Sequence, residues 1–85
     1  MELKDTVGLM ISDDYRKRFV AEYWQTRIRM SKLLRTISCH YAVELPFALD
    51  CQVELLNKQY EAMRAYLEIL KERAVIEGVD LEEKL

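Results

Sequence analysis

From residue 53 onward the apolar positions Val53, Leu56, Tyr60, Met63, Leu67, Leu70 and Ala74 follow one another at alternating steps of three and four. That spacing keeps side chains on one stripe of an α-helix, here for three heptads. A second apolar row, Leu55, Ala62, Tyr66, Ile69 and Ile76, runs beside the first. Two rows make a face broader than one neighbouring helix covers, which predicts a helix that touches two neighbours. Gly78 can take the left-handed conformation that closes the last turn, letting Val79 fold back onto Ala74, and Arg73 suits the negative end of the dipole. The pattern places this helix at 51–77 and a short acidic tail at 78–85.

A first long helix is predicted over 12–42. Ser12, Asp13 and Asp14 supply a capping hydroxyl and carboxylates at the positive end of the dipole. Tyr15, Phe19, Tyr23, Met30, Leu33, Ile37 and Tyr41 then repeat at helical spacing, with Val20, Trp24, Ile28 and Leu34 widening the face. Pro46 breaks helical continuity, so 43–50 reads as a connector, with Asp50 as cap of the next helix and Phe47 and Leu49 plugging the open end. Residues 3–10 read as a short leading helix packed on the body. The predicted fold is all-α: one domain, 1–85, an antiparallel helical hairpin with a short N-terminal helix.

An 85-residue chain of this kind buries about 60 to 65% of its unfolded surface, a marginal core that a second copy would reinforce. The expected state is therefore a homo-oligomeric bundle, a dimer or a higher even assembly, with Leu56, Tyr60, Met63, Leu67 and Leu70 at the interface. With only two Gly and one Pro, the composition suits long helices.

Charge is unevenly spread: residues 12–40 hold seven Lys or Arg against three acids, and residues 41–85 hold five against ten. The acidic second half and the net charge of −2 argue against an extended nucleic acid as partner. No stretch approaches the roughly 20 apolar residues of a membrane span, and the first residues resemble neither signal nor anchor. Cys39 and Cys51 read as free thiols in a reducing compartment. Cys39 and the adjacent His40 point about 100° apart on a helix and lack further ligands, so neither a metal nor another cofactor is expected. No residue set supplies a nucleophile or a poised acid and base, so the expectation is not an enzyme.

Cations and aromatics interleave most densely in Arg16–Lys32, RKRFVAEYWQTRIRMSK, a mixture able to pair phosphates and stack a base, or to brace a helix surface. In the segments LKDTVGLM-ISDDYRKRF, AEYWQTRIRMSKL and LLNKQYEAMRAYLEILKERAVIEGVDL the chain resembles a family of small helical proteins of crAss-like phages and phages of gut Clostridia. The matching polar and aromatic positions are Arg18, Glu22, Tyr23, Gln25, Arg29 and Lys32, then Gln59, Tyr66, Arg73 and Glu77; Trp24 stands where a tyrosine is usual.

By analogy the design is similar to Sequestin-like phage sponges that sequester nucleotide immune signals, such as the cyclic ADP-ribose molecules of Thoeris defence or cyclic oligonucleotides. The resemblance implies a protein of the infected host's cytoplasm that binds such a signal without cleaving it. Arg18, Arg29 and Arg73 would meet phosphates, Tyr23, Trp24 or Tyr66 would stack on the base, and Glu22 and Gln59 would complete the site. The competing expectations are a helical adaptor or inhibitor that binds a host protein, and a structural phage component.

Overall fold

The structure is a computed structural model and describes residues 1–82, so residues 83–85 of the assigned tail lie outside it. A 3-10 turn, Leu3–Thr6, runs into the single-turn helix α1, Val7–Met10. Two long helices follow, α2 over Tyr15–Tyr41 and α3 over Val53–Glu77, with no strand among the described residues. They lie antiparallel: Tyr15 meets Glu77 at one end, and at the other Asn57 donates to the Tyr41 hydroxyl.

The helix ends follow from local polar groups. α2 starts at Tyr15 rather than at residue 12, because Asp14 stays extended and its carboxylate accepts the amide of Arg16 at 2.9 Å. Ser12 serves one step earlier, accepting the Asp14 amide at 3.0 Å. α3 starts at Val53 behind Gln52, whose side chain makes no cap bond, so Asp50 does not cap it and Cys51 stays outside the helix. α2 closes through Val43, held at φ 57°, with the Glu44 amide donating to the Cys39 carbonyl at 2.9 Å. At the end of α3, Gly78 takes φ 70°, the Val79 amide donates to the Ala74 carbonyl at 2.9 Å, and the Val79 side chain packs on the core that includes Ala74.

The core is one seam between the long helices, Phe19 and Tyr23 from α2 against Leu67, Leu70 and Ala74 from α3, joined by Trp24, Met30, Val79 and Leu81. A smaller cluster of Leu9, Val20 and Ala21 docks α1. Gln25 secures that docking by donating at 3.0 Å to the hydroxyl of fully buried Thr6, which itself donates to the Leu3 carbonyl at 2.7 Å. The C-terminal part of the first apolar row of α3, Leu67, Leu70 and Ala74, is thus consumed within the chain. Leu70 has no exposed surface and Leu67 almost none, so neither can reach a second copy, and Leu56, Tyr60 and Met63 are half-buried on the same stripe. The expected interface is corrected at Leu67 and Leu70, which α2 already covers. What stays exposed is the second row, with Leu55 at 58%, Ile69 at 53% and Ile76 at 84%. Phe47 does not plug the open end either. It is 59% exposed, whereas Leu49 is half-buried.

A polar clasp ties the end of the hairpin opposite the connector. The Tyr15 hydroxyl donates to Glu77 Oε1 at 2.8 Å, Arg73 Nη2 donates to the Tyr15 oxygen at 2.6 Å, and Arg73 Nε donates to Glu77 Oε2 at 2.9 Å. Arg16 adds a bond to the Gly78 carbonyl. The hydrogen bonds from Tyr15 and then Arg73 hold the Glu77 carboxyl below its ordinary pKa, while the bond to Glu77 raises the Tyr15 phenol and strengthens the hold of Arg73 on its proton.

This packing makes Leu70 the most sensitive apolar position. Leu70→Ala leaves a cavity in the one seam and lowers unfolding stability by about 2–5 kcal/mol, read from the urea midpoint at constant slope. Because the Glu77 pKa is depressed on folding, its contribution is present above the unfolded-state value and is lost as pH falls through the folded one. Glu77→Gln therefore flattens the acid limb of a melting-temperature profile taken between about pH 6 and 2; equal acid slopes in both proteins would show that the clasp does not couple to folding.

Candidate functional site

Seven-residue steps put Tyr15, Glu22 and Arg29 along one edge of α2, since two helical turns return a side chain to nearly the same direction. Running the opposite way, the same steps put Arg73, Tyr66 and Gln59 along the facing edge of α3. Two rungs of this ladder are bonded: Arg73 to the Tyr15 hydroxyl, and the Tyr66 hydroxyl to Glu22 Oε1. Continued two turns further, the register sets Arg29 opposite Gln59. Five of the eight sequence-predicted ligand residues, Glu22, Arg29, Gln59, Tyr66 and Arg73, therefore share one flank of the hairpin.

Tyr66 sits at the middle of that flank. Its hydroxyl is fixed by Glu22, which orients the ring, yet 37% of the residue remains exposed. Arg73 lies over the Phe19 ring at 4.9 Å while its Nε and Nη2 hold the clasp, an arrangement that fixes the guanidinium plane. Arg29 and Lys32 are exposed, and among the described residues neither has a carboxylate within ion-pair distance. Arg18, also exposed, donates to the Ser12 carbonyl at 2.7 Å, which holds the turn before α2 and leaves its charge at the edge of the flank. Rigid cations beside an open aromatic face suit an anion that carries a ring.

The other two predicted aromatics are elsewhere. Tyr23 is buried in the seam, its hydroxyl met by Arg27 Nη1 at 3.4 Å. Trp24 points to the opposite side, where its indole N–H donates to the Leu81 carbonyl at 2.8 Å and Arg27 covers its ring at 4.8 Å. Each is one position removed from its neighbour on the helix, and a step of about 100° is enough to take both away from the flank. Tyr15, by contrast, reads in the sequence only as a core position, yet it forms the first rung; the i, i+4 pair Arg73 and Glu77 is the signal that points to it.

The remaining surfaces differ in kind. On the opposite side of α3, Glu61 with Arg64 at 3.8 Å and Glu68 with Lys71 at 3.5 Å make an exposed, charge-balanced face. An open hollow of about 830 Å³ lies at the connector, lined by His40, Phe47, Leu49, Cys51 and Val53, and no predicted ligand residue reaches it. Among the described residues no three His, Cys, Asp or Glu side chains are grouped to hold a metal ion, and no helix is long and apolar enough to cross a membrane.

Among curated proteins and among solved structures nothing matches the chain. The model of one protein family does, over residues 13–76, a span that runs from the start of α2 through nearly the whole of α3 and includes every residue of the ladder. With well over half of its length matched, the chain belongs to the Sequestin family.

Proposed function

We propose that this protein is a phage-encoded sponge that binds a nucleotide-derived immune signal, such as a cyclic ADP-ribose, and withholds it from its host receptor without cleaving it. Membership of the Sequestin family supports a sequestering role. The observation that carries the reading to a nucleotide is the flank itself: an oriented, exposed Tyr66 between the fixed guanidinium of Arg73 and Arg29, which has no ion-pair partner among the described residues. A ring stacks on the tyrosine, and phosphates meet the arginines through charge-assisted bonds. Glu22 and Gln59 offer an acceptor and an amide for sugar hydroxyls or base edges. The ligand set is thereby narrowed to Arg18, Glu22, Arg29, Gln59, Tyr66 and Arg73, with Tyr23 and Trp24 serving the fold. Such a protein acts by mass action in the cytoplasm of the infected cell, so its potency is set by affinity and copy number.

A helical adaptor that offers Leu55, Ile69 and Ile76 to a host protein is the second reading, favoured by the exposure of that row.

Calorimetry against cyclic ADP-ribose isomers and a panel of cyclic oligonucleotides is expected to show saturable binding that weakens with added salt, with the ligand recovered intact by chromatography. Arg29→Ala and Tyr66→Ala should each weaken binding by about tenfold to a hundredfold, the loss that one charge-assisted bond or one stacked ring carries. Trp24→Phe should lower stability and leave affinity within about twofold, since the indole N–H bonds only to Leu81. Failure of every nucleotide to bind, together with co-purification of one stoichiometric host polypeptide, would favour the adaptor.

A further inference from the structure

α2 is the central helix, and its two sides are finished differently. Counted at about 100° per residue from the midpoint of the seam residues Phe19 and Tyr23, Val20 lies about 80° round the helix, Trp24 about 120° and Ala21 about 180°. α1 packs on Val20 and Ala21 through Leu9, which puts it across α2 from α3, and α1 and α3 make no contact with each other among the described residues. One side between them is closed by the residues after α3: Val79 packs on both cores, and the Trp24 indole donates to the Leu81 carbonyl. The other side carries Gln25, Arg18, Arg29 and Glu22, all within about 60° of one another. Arg18, Glu22 and Arg29 are exposed there, and Gln25 is half-buried.

This open side is the candidate flank seen with a second bank. α3 bounds it with Tyr66, whose hydroxyl reaches Glu22. α1 bounds it with Met10, whose sulfur is met by Gln25 Nε2, and the turn after α1 closes one end where Arg18 bonds the Ser12 carbonyl. Met10 touches Gln25 yet keeps 47% of its surface in solvent. A polarisable thioether so placed suits the edge or face of an aromatic ring. The bonds around Gln25 also settle which end of its amide is free. Thr6 gives its one hydroxyl proton to the Leu3 carbonyl, so its oxygen accepts, and Gln25 must turn its NH2 group toward it. Oε1 is left as the acceptor of that amide, one helical turn from both Glu22 and Arg29.

We infer that α1 belongs to the nucleotide site and selects the base: Met10 packs on the ring from the α1 side while Tyr66 holds the other, and Gln25 Oε1 accepts from an exocyclic N–H such as adenine carries. The inference rests on the nucleotide reading above and names the class of base within it. Met10 lies ahead of residues 13–76, so its contact is an addition to the hairpin that the family model matches. A hypoxanthine ring presents a carbonyl where adenine presents N–H. Two acceptors would then face each other, and the Gln25 donor that could relieve them is held by Thr6.

The chain has four methionines, so the contact can be read directly. Full-length protein labelled with carbon-13 at the methionine methyl groups is titrated with cyclic ADP-ribose while calorimetry follows binding. The Met10 resonance, assigned by its loss in Met10→Leu, is expected to move in step with saturation, and that of Met30, packed on the seam, to move little. Met10→Ala should weaken binding by about threefold to tenfold, and Met10→Leu, which keeps the bulk, by less. Wild-type protein should prefer cyclic ADP-ribose to its hypoxanthine analogue by about tenfold or more, and Gln25→Leu should bind the two alike. A purely structural role for Gln25 would lower both affinities and leave their ratio unchanged. A Met10 resonance that stays in place at saturation, equal wild-type affinity for the two compounds, or a preference that survives in Gln25→Leu overturns the inference and leaves the nucleotide reading standing. If Gln25→Leu fails to fold, the Met10 resonance and the wild-type preference decide. Absence of calorimetric binding to the wild-type protein removes the inference and the nucleotide reading together.

Discussion

One helix can shelter only part of the circumference of another, and the architecture of this protein depends on that limit. α2 covers the stripe of α3 that holds Leu67, Leu70 and Ala74, and the seam is tight enough to leave Leu70 no contact with solvent. The neighbouring row sits roughly a quarter-turn or more away and stays outside. The resulting shape is elongated, 42 × 24 × 18 Å with a Cα radius of gyration of 15.0 Å, where a compact chain of this length would have about 12 Å. α1 adds a third layer, but only on the far side of α2, where Leu9 meets Val20 and Ala21. The uncovered face of α3 is therefore a direct consequence of a two-helix core.

The same limit explains which parts of the fold are legible in the sequence. The α3 stripe, the surplus row, and Gly78 with Val79 are all local or periodic signals, and each has its counterpart in the structure. Which of two adjacent rows packs inside is not a local property. It is decided by the direction from which α2 arrives, and for this reason Leu67 and Leu70, which the heptad pattern offers to an oligomer interface, form the intrachain seam instead. The α2 start shows a smaller version of the problem: Ser12 and Asp14 are both good caps, and the choice falls to the residue whose carboxylate can reach Arg16.

The candidate site is half legible for a related reason. Helical periodicity groups Glu22 with Arg29 and Tyr66 with Arg73, but joining the two pairs requires the antiparallel register, which the Tyr66 and Tyr15 hydrogen bonds reveal. Trp24 is the most conspicuous aromatic in the basic segment and the least available, because its environment is set by Leu81, 57 residues away. A tryptophan with its N–H bonded to a carbonyl and a guanidinium over its face is fully engaged in the fold.

Electrostatics decide how the flank can attract an anion. Glu22 and Glu77 stand on it, and both serve the structure, Glu22 by orienting Tyr66 and Glu77 by drawing Arg73 and Tyr15 together. Their charges offset part of the positive field, and Arg73, paired with Glu77, contributes direction more than net charge. The surplus must come from α2, where Arg29 and Lys32 have no acidic partner among the described residues and Arg18 bonds only a carbonyl. A single hairpin spreads these cations along an open edge, where solvent and salt screen them.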